Sequence, residues 1–173
     1  MKLAAKITTA ASLAVVVGLI AIAAPVILPL LPRQVQVAVG GTLHTVPGTV
    51  DELLSETLGG AQAGEVAVTH ADVDEEYVKA GSIWPWSLPT GWGFPRNRGV
   101  ADTPGHHWNG MGLKAAFSMW ATASLDAVKG GDLSTDAANE LLDEVEDATQ
   151  TLLDAGVLTD RGFIEDAVTP LRP

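Results

Sequence analysis

The chain contains no cysteine. Disulfide staples, thiol nucleophiles and thiolate metal sites are therefore excluded. Positive charge is scarce too. Beyond position 33 there are seven lysines and arginines against all 21 aspartates and glutamates, a formal charge of −14. A body this acidic repels a phosphate backbone, so no nucleic-acid partner is expected. The usual catalytic signatures are missing as well: no Gly-x-Ser-x-Gly elbow, no Ser-x-x-Lys, and no glycine-rich loop ending in Gly-Lys-Ser/Thr. Carboxylates are so abundant that a pair of them specifies nothing. The adjacent His106 and His107 cannot readily face one ion, and His44, His70 and Asp102 stand at no ligand spacing. The acidic stretch "DVDEE" (72–76) lacks the glycine turn of a calcium loop. No metal and no cofactor are expected, and the protein reads as non-catalytic.

One long apolar run is present. Lys2 and Lys6 precede residues 7–32, which carry no charge over 26 positions before Arg33. About 20 apolar residues span a bilayer, so residues 1–33 read as an uncleaved signal anchor, a single transmembrane helix. The lysines place its N-terminus in the cytoplasm and residues 34–173 outside, at the cell membrane. The alternative is a secretory signal cut between Ala23 and Ala24, with "AIAAP" as the small-residue site. Both readings export the same acidic domain, which the anchor rather than surface charge would hold at the membrane.

The exported part reads as α+β. Val35, Val37 and Val39 alternate with polar or small residues, Gly40–Gly41 offers a hairpin turn, and "TLHTV" returns. Thr49 and Glu52 form a capping box for a helix ending at Gly59–Gly60. "EVAVTH" (65–70) is a third strand positioned to pair with the hairpin, and "DVDEEYVKAG" a short acidic helical turn. Residues 34–80 thus form a β-hairpin/helix unit.

A helical hairpin occupies 110–173. Its first helix starts at Asn109 as N-cap and aligns Leu113, Phe117, Trp120, Ala121, Ser124 and Val128 before Gly130–Gly131. The second, capped by Ser134 or Thr135, turns Ala138, Leu141, Leu142, Val145, Ala148, Leu152 and Leu153 inward. Asp143, Glu144, Glu146, Asp147 and Asp154 crowd its other side as a solvated acidic face. After Gly156, Thr159 caps a last short helix.

Between these units lies "GSIWPWSLPTGWGFPRNRG" (81–99). The chain has nine aromatics and places four of them here, among three prolines and four glycines. The wider loop, 81–109, is irregular yet stiff, since each proline fixes φ and removes a backbone donor. Disordered segments are poor in aromatics, so this loop is expected to pack against a surface. Trp84, Trp86, Trp92 and Phe94, with Arg96 and Arg98, are the candidate partner-binding residues, because tryptophan on a stiff backbone binds at low entropic cost. The expected function is that of a membrane-anchored accessory or scaffolding subunit of a membrane or envelope assembly. A module binding an envelope glycan or lipid through the same tryptophans is the alternative.

Overall fold

The computed structural model describes residues 41–98 and 105–172. The expected membrane helix and the first hairpin arm, residues 34–40, lie outside the described residues, as do 99–104. Among the described residues no helix is long and apolar enough to cross a membrane. The fold is mixed and mostly helical, with one small two-stranded sheet.

Helix α1 (Val50–Leu58) starts where Thr49 accepts the N–H of Glu52 and stops at Gly59 in the left-handed region, φ 60°. Strand β1 (Ala67–Val68) follows, and helix α2 (His70–Ser82) begins at Thr69. Thr69 and Asp72 exchange hydrogen bonds in a reciprocal capping box. The expected acidic turn is therefore a helix of 13 residues, with Val73, Tyr77 and Ala80 on its buried face. Its acids misled the reading because they occupy the opposite face, with Glu76 as the exception.

Among the described residues strand β1 pairs with β2 (His107–Trp108) and not with the "TLHTV" arm, Ala67 standing opposite Trp108 and Val68 opposite His107. The segment "TLHTV" has a further partner, while its expected pairing with 35–39 lies outside the described residues. Thr42 bridges Pro95, Leu43 donates its N–H to Phe94 O at 2.8 Å, and Arg96 donates to Gly41 O at 3.2 Å. This arm is thus sewn to the end of the aromatic loop, and Val46 N–H continues to Ser82 O at the end of α2.

Helix α3 (Met111–Gly130) and helix α4 (Thr135–Asp154) form the expected helical hairpin. Gly110, not Asn109, caps α3, and it offers no side chain to do so. Asn109 instead ties the β1 region together: its Nδ2 donates to Gln62 O and its Oδ1 accepts from Val66 N–H. Ser134 caps α4 through the N–H of Ala137. At the C-terminus Asp160, not Thr159, accepts the first free N–H, from Gly162. A π-helical turn, Ile164–Val168, and a 3-10 turn, Thr169–Leu171, follow. Arg172 then reaches back to Asp143 and Glu146 on α4, 2.7 Å to each.

The core lies between α2, α3 and α4, with α1 leaning on α2. Helices α2 and α3 make the closest crossing. A Cβ placed on Gly112 would stand 2.4 Å from Val73 O and 2.6 Å from Tyr77 N, so only glycine lets the two backbones meet. That crossing fixes where the aromatic loop and the β1–β2 ladder must sit.

Candidate functional site

The aromatic loop folds inward. Trp84 and Phe94 are completely buried, and Trp86 nearly so. The Trp84 ring centroid lies 5.0 Å from Trp86, 5.3 Å from Phe94 and 5.4 Å from Trp120 of α3. Such pairs add about 0.5–1.5 kcal/mol each beyond the area they remove from water. The polar atoms of the loop are mostly tied down. Trp120 Nε1 donates to Ser87 O at 2.8 Å, Trp86 Nε1 to Asp147 at 2.9 Å, and Ser87 donates both N–H and O–H to Glu144. Two carboxylates of the supposedly solvated acidic face therefore hold the loop on α4. Trp84 Nε1 is buried with no acceptor among the described residues.

Of the six residues expected to meet a partner, four are spent on the interior. Trp84, Trp86 and Phe94 fill the gap between the helices, and Arg98 is buried. As packed, these four offer a partner no surface, because α2, α3 and α4 already supply one. Trp92 is half-buried against Phe94, with ring centroids 4.8 Å apart, and Arg96 is exposed.

The tryptophan that does face outward is Trp108. It is 42% exposed, with Met111 at 38% beside it. Met111 Sδ accepts the N–H of Trp108 at 3.3 Å, so these two exposed residues form one patch, while Val66, opposite Asn109 in the register, alternates to the other face of the ladder. The sequence reading counted Trp108 within the loop but did not single it out. Its signal was position: it ends the proline-rich stretch and starts regular structure.

A polar cluster stands behind this patch. Arg98 Nε donates to Asp74 Oδ1, and Arg98 Nη2 is 3.2 Å from both ring nitrogens of His70. His70 Nε2 is 3.5 Å from Asp74 Oδ2, and the His107 ring meets His70 edge-on at 5.3 Å. Deeper in, the nearly buried Glu76 carboxylate accepts the N–H of Gly110 at 3.1 Å and of Leu113 at 2.9 Å. It supplies from α2 the cap that Gly110 cannot give α3. Burial raises its pKa above the ordinary glutamate value, against the lowering pull of backbone N–H groups at Leu113, Gly110 and Gly112 and of the Arg98 charge. Sequence reasoning missed Glu76, although an acid inside the stripe of Val73, Tyr77 and Ala80 was the available sign. Among the described residues no grouping of histidine and carboxylate side chains could hold a metal ion.

No family model, no curated protein and no solved structure matches this chain.

Proposed function

We propose that the protein is a non-catalytic accessory or scaffolding subunit of a larger membrane or envelope assembly. Residues 1–33 tether it at the cell membrane with the N-terminus in the cytoplasm, and the acidic domain works outside. The observation that supports this reading best is the Trp108–Met111 patch, exposed on the β1–β2 ladder and the start of α3. Tryptophan and methionine are enriched where proteins meet, and a rigid backbone beneath them lowers the entropic cost of docking. The glycan- or lipid-binding alternative has less to work with, since Trp84 and Trp86 present no stacking face.

The test is purification of the full chain in mild detergent from its own membranes. A membrane-protein partner should come down in stoichiometric amount with the native chain and be lost from Trp108→Ala. Thermal stability of that variant should stay within about 1 kcal/mol of native, as for a surface substitution. A hot-spot loss in association of roughly 2 kcal/mol or more is expected. A protein that purifies alone, or a partner indifferent to Trp108→Ala, overturns the assignment.

A further inference from the structure

With no cysteine in the chain, no thiol stands ahead of its thioethers when an oxidant arrives. Of the three methionines, Met1 lies outside the described residues, while Met111 and Met119 both sit on α3. Their surroundings differ. Met119 is half-buried, and its sulfur stands 3.3 Å from the hydroxyl of Tyr77, a completely buried side chain that also donates to Pro95 O at 2.8 Å. Met111 is 38% exposed in the first turn of the helix.

The Met111 sulfur also has a structural task. Asn109 N–H bonds Val66 O at 2.9 Å, so Val66 and Asn109 form a hydrogen-bonded pair of the ladder. Antiparallel pairs alternate, which makes Ala67 and Trp108 the non-hydrogen-bonded pair and points the Trp108 N–H away from β1. Among the described residues no further strand lies on that side. Met111 Sδ accepts this edge donor at 3.3 Å. A thioether is a weak acceptor, yet here it finishes the edge of β2 and seats an apolar side chain there.

Oxidation removes both roles. In the sulfoxide, sulfur carries an oxygen, and a flexible apolar side chain becomes polar and chiral. A nitrogen-to-oxygen hydrogen bond alone takes about 2.9 Å. The 3.3 Å between Trp108 N and Met111 Sδ therefore has no room for an inserted oxygen. The S–O bond must point elsewhere, or the side chain must leave the edge of β2. In either case the patch gains a strong dipole where it had apolar surface.

We propose that Met111 is an oxidation site built into the docking patch: a peroxide converts it to the sulfoxide, unseats it from Trp108 and makes the patch polar. A sulfur lone pair attacks one peroxide oxygen, an S–O bond forms as the O–O bond breaks, and sulfur gives up two electrons. The proton of the transferred hydroxyl passes to the departing hydroxide and leaves water. The consequence for association rests on the subunit reading above, whereas the chemistry at Met111 does not.

The full chain in mild detergent is treated with hydrogen peroxide, stopped with catalase at intervals and mapped by peptide mass. Met111 should gain oxygen several-fold faster than Met119. Equal rates, or a faster Met119, overturn the site. The backbone amide of Trp108 is followed by NMR in the same samples. It should shift as Met111 is oxidised, while the indole signals of Trp84, Trp86 and Trp120 hold their places. An unmoved Trp108 amide overturns the unseating, and shifts at every indole overturn a local effect. Association is read last, on Met119→Leu, a volume-conserving change that leaves position 111 as the one thioether on α3. The partner captured from native membranes should be lost on peroxide treatment and recovered after methionine sulfoxide reductase. A partner that stays bound to the sulfoxide overturns the switch. A chain that binds nothing before oxidation overturns the subunit reading alone, and the rates and the amide shift then decide the site.

Discussion

The carboxylate of Glu76 on α2 accepts the backbone N–H of Leu113 on α3 at 2.9 Å, and its other oxygen takes Gly110 N–H at 3.1 Å. A single side chain thus closes the start of one helix from the middle of another. It joins the two elements that position the β1–β2 ladder and the Trp108 patch. Burial disfavours the charged form, while the helix terminus favours it, and the net effect is a raised pKa.

The consequence for pH has a definite sign. A carboxyl whose folded pKa lies above its unfolded value binds more protons when folded. Its contribution to stability is complete below the unfolded value and is lost as pH rises through the folded one. As pH rises above the ordinary glutamate value, the native protein should lose stability to this group. Glu76→Gln should flatten that part of the profile in urea denaturation. Glu76→Ala should cost about 2–4 kcal/mol by leaving two buried N–H groups unpaired. A profile unchanged by Glu76→Gln would contradict the assignment.

Gly112 and Gly130 make a matched pair on α3. A Cβ at Gly112 collides with backbone atoms of Val73 and Tyr77, whereas at Gly130 nothing lies within 4 Å. Gly112→Ala should therefore destabilise by more than about 2 kcal/mol by forcing α2 and α3 apart. Gly130→Ala should raise stability by about 0.5 kcal/mol through helix propensity. Equal effects from the two substitutions in a thermal melt would refute the close crossing.

Chelation provides a third check. The polar side chains around His70 find partners in one another, Asp74 and Arg98 foremost. Excess divalent chelator should leave the melting temperature where it was. A fall of several degrees, restored by zinc or calcium, would show a structural ion.

Much of this fold was legible because its signals were local. Thr49 and Ser134 as caps, Gly59 and Gly131 as stops, and the apolar stripes of α3 and α4 all act within a few residues. The misreadings came from contacts distant in sequence. "EVAVTH" is too short to declare its partner, and its ladder with His107–Trp108 closes over about 40 residues. Asn109 looked like a cap because Asn caps helices, yet its amide is engaged by Gln62 and Val66. The candidate site suffered the same way. Composition can mark a tryptophan-rich loop, but whether an indole faces in or out depends on which helix faces lie beneath it. Trp84 lies amid the prolines and Trp108 at their end, a difference of position that says nothing of direction, and packing decides which faces in.

That packing yields the last prediction. Trp84 is completely buried among Trp86, Phe94 and Trp120, while its Nε1–H has no acceptor among the described residues. Trp84→Ala should cost about 3–5 kcal/mol, the range for deleting a large core ring. Trp84→Phe should cost far less, because it removes an orphaned donor along with part of the ring, and an unpaired buried donor is itself worth about 1–3 kcal/mol of penalty. Trp86 should behave differently. Its Nε1–H bonds Asp147, so Trp86→Phe forfeits a charge-assisted hydrogen bond, worth roughly 1.5–3 kcal/mol when sheltered and less here because Asp147 is exposed. Adding Asp147→Asn to Trp86→Phe should then cost little more. Equilibrium unfolding of the four variants decides the matter. If Trp84→Ala is as stable as the native chain, the loop is not part of the core, and the inward-folded aromatic cluster is wrong.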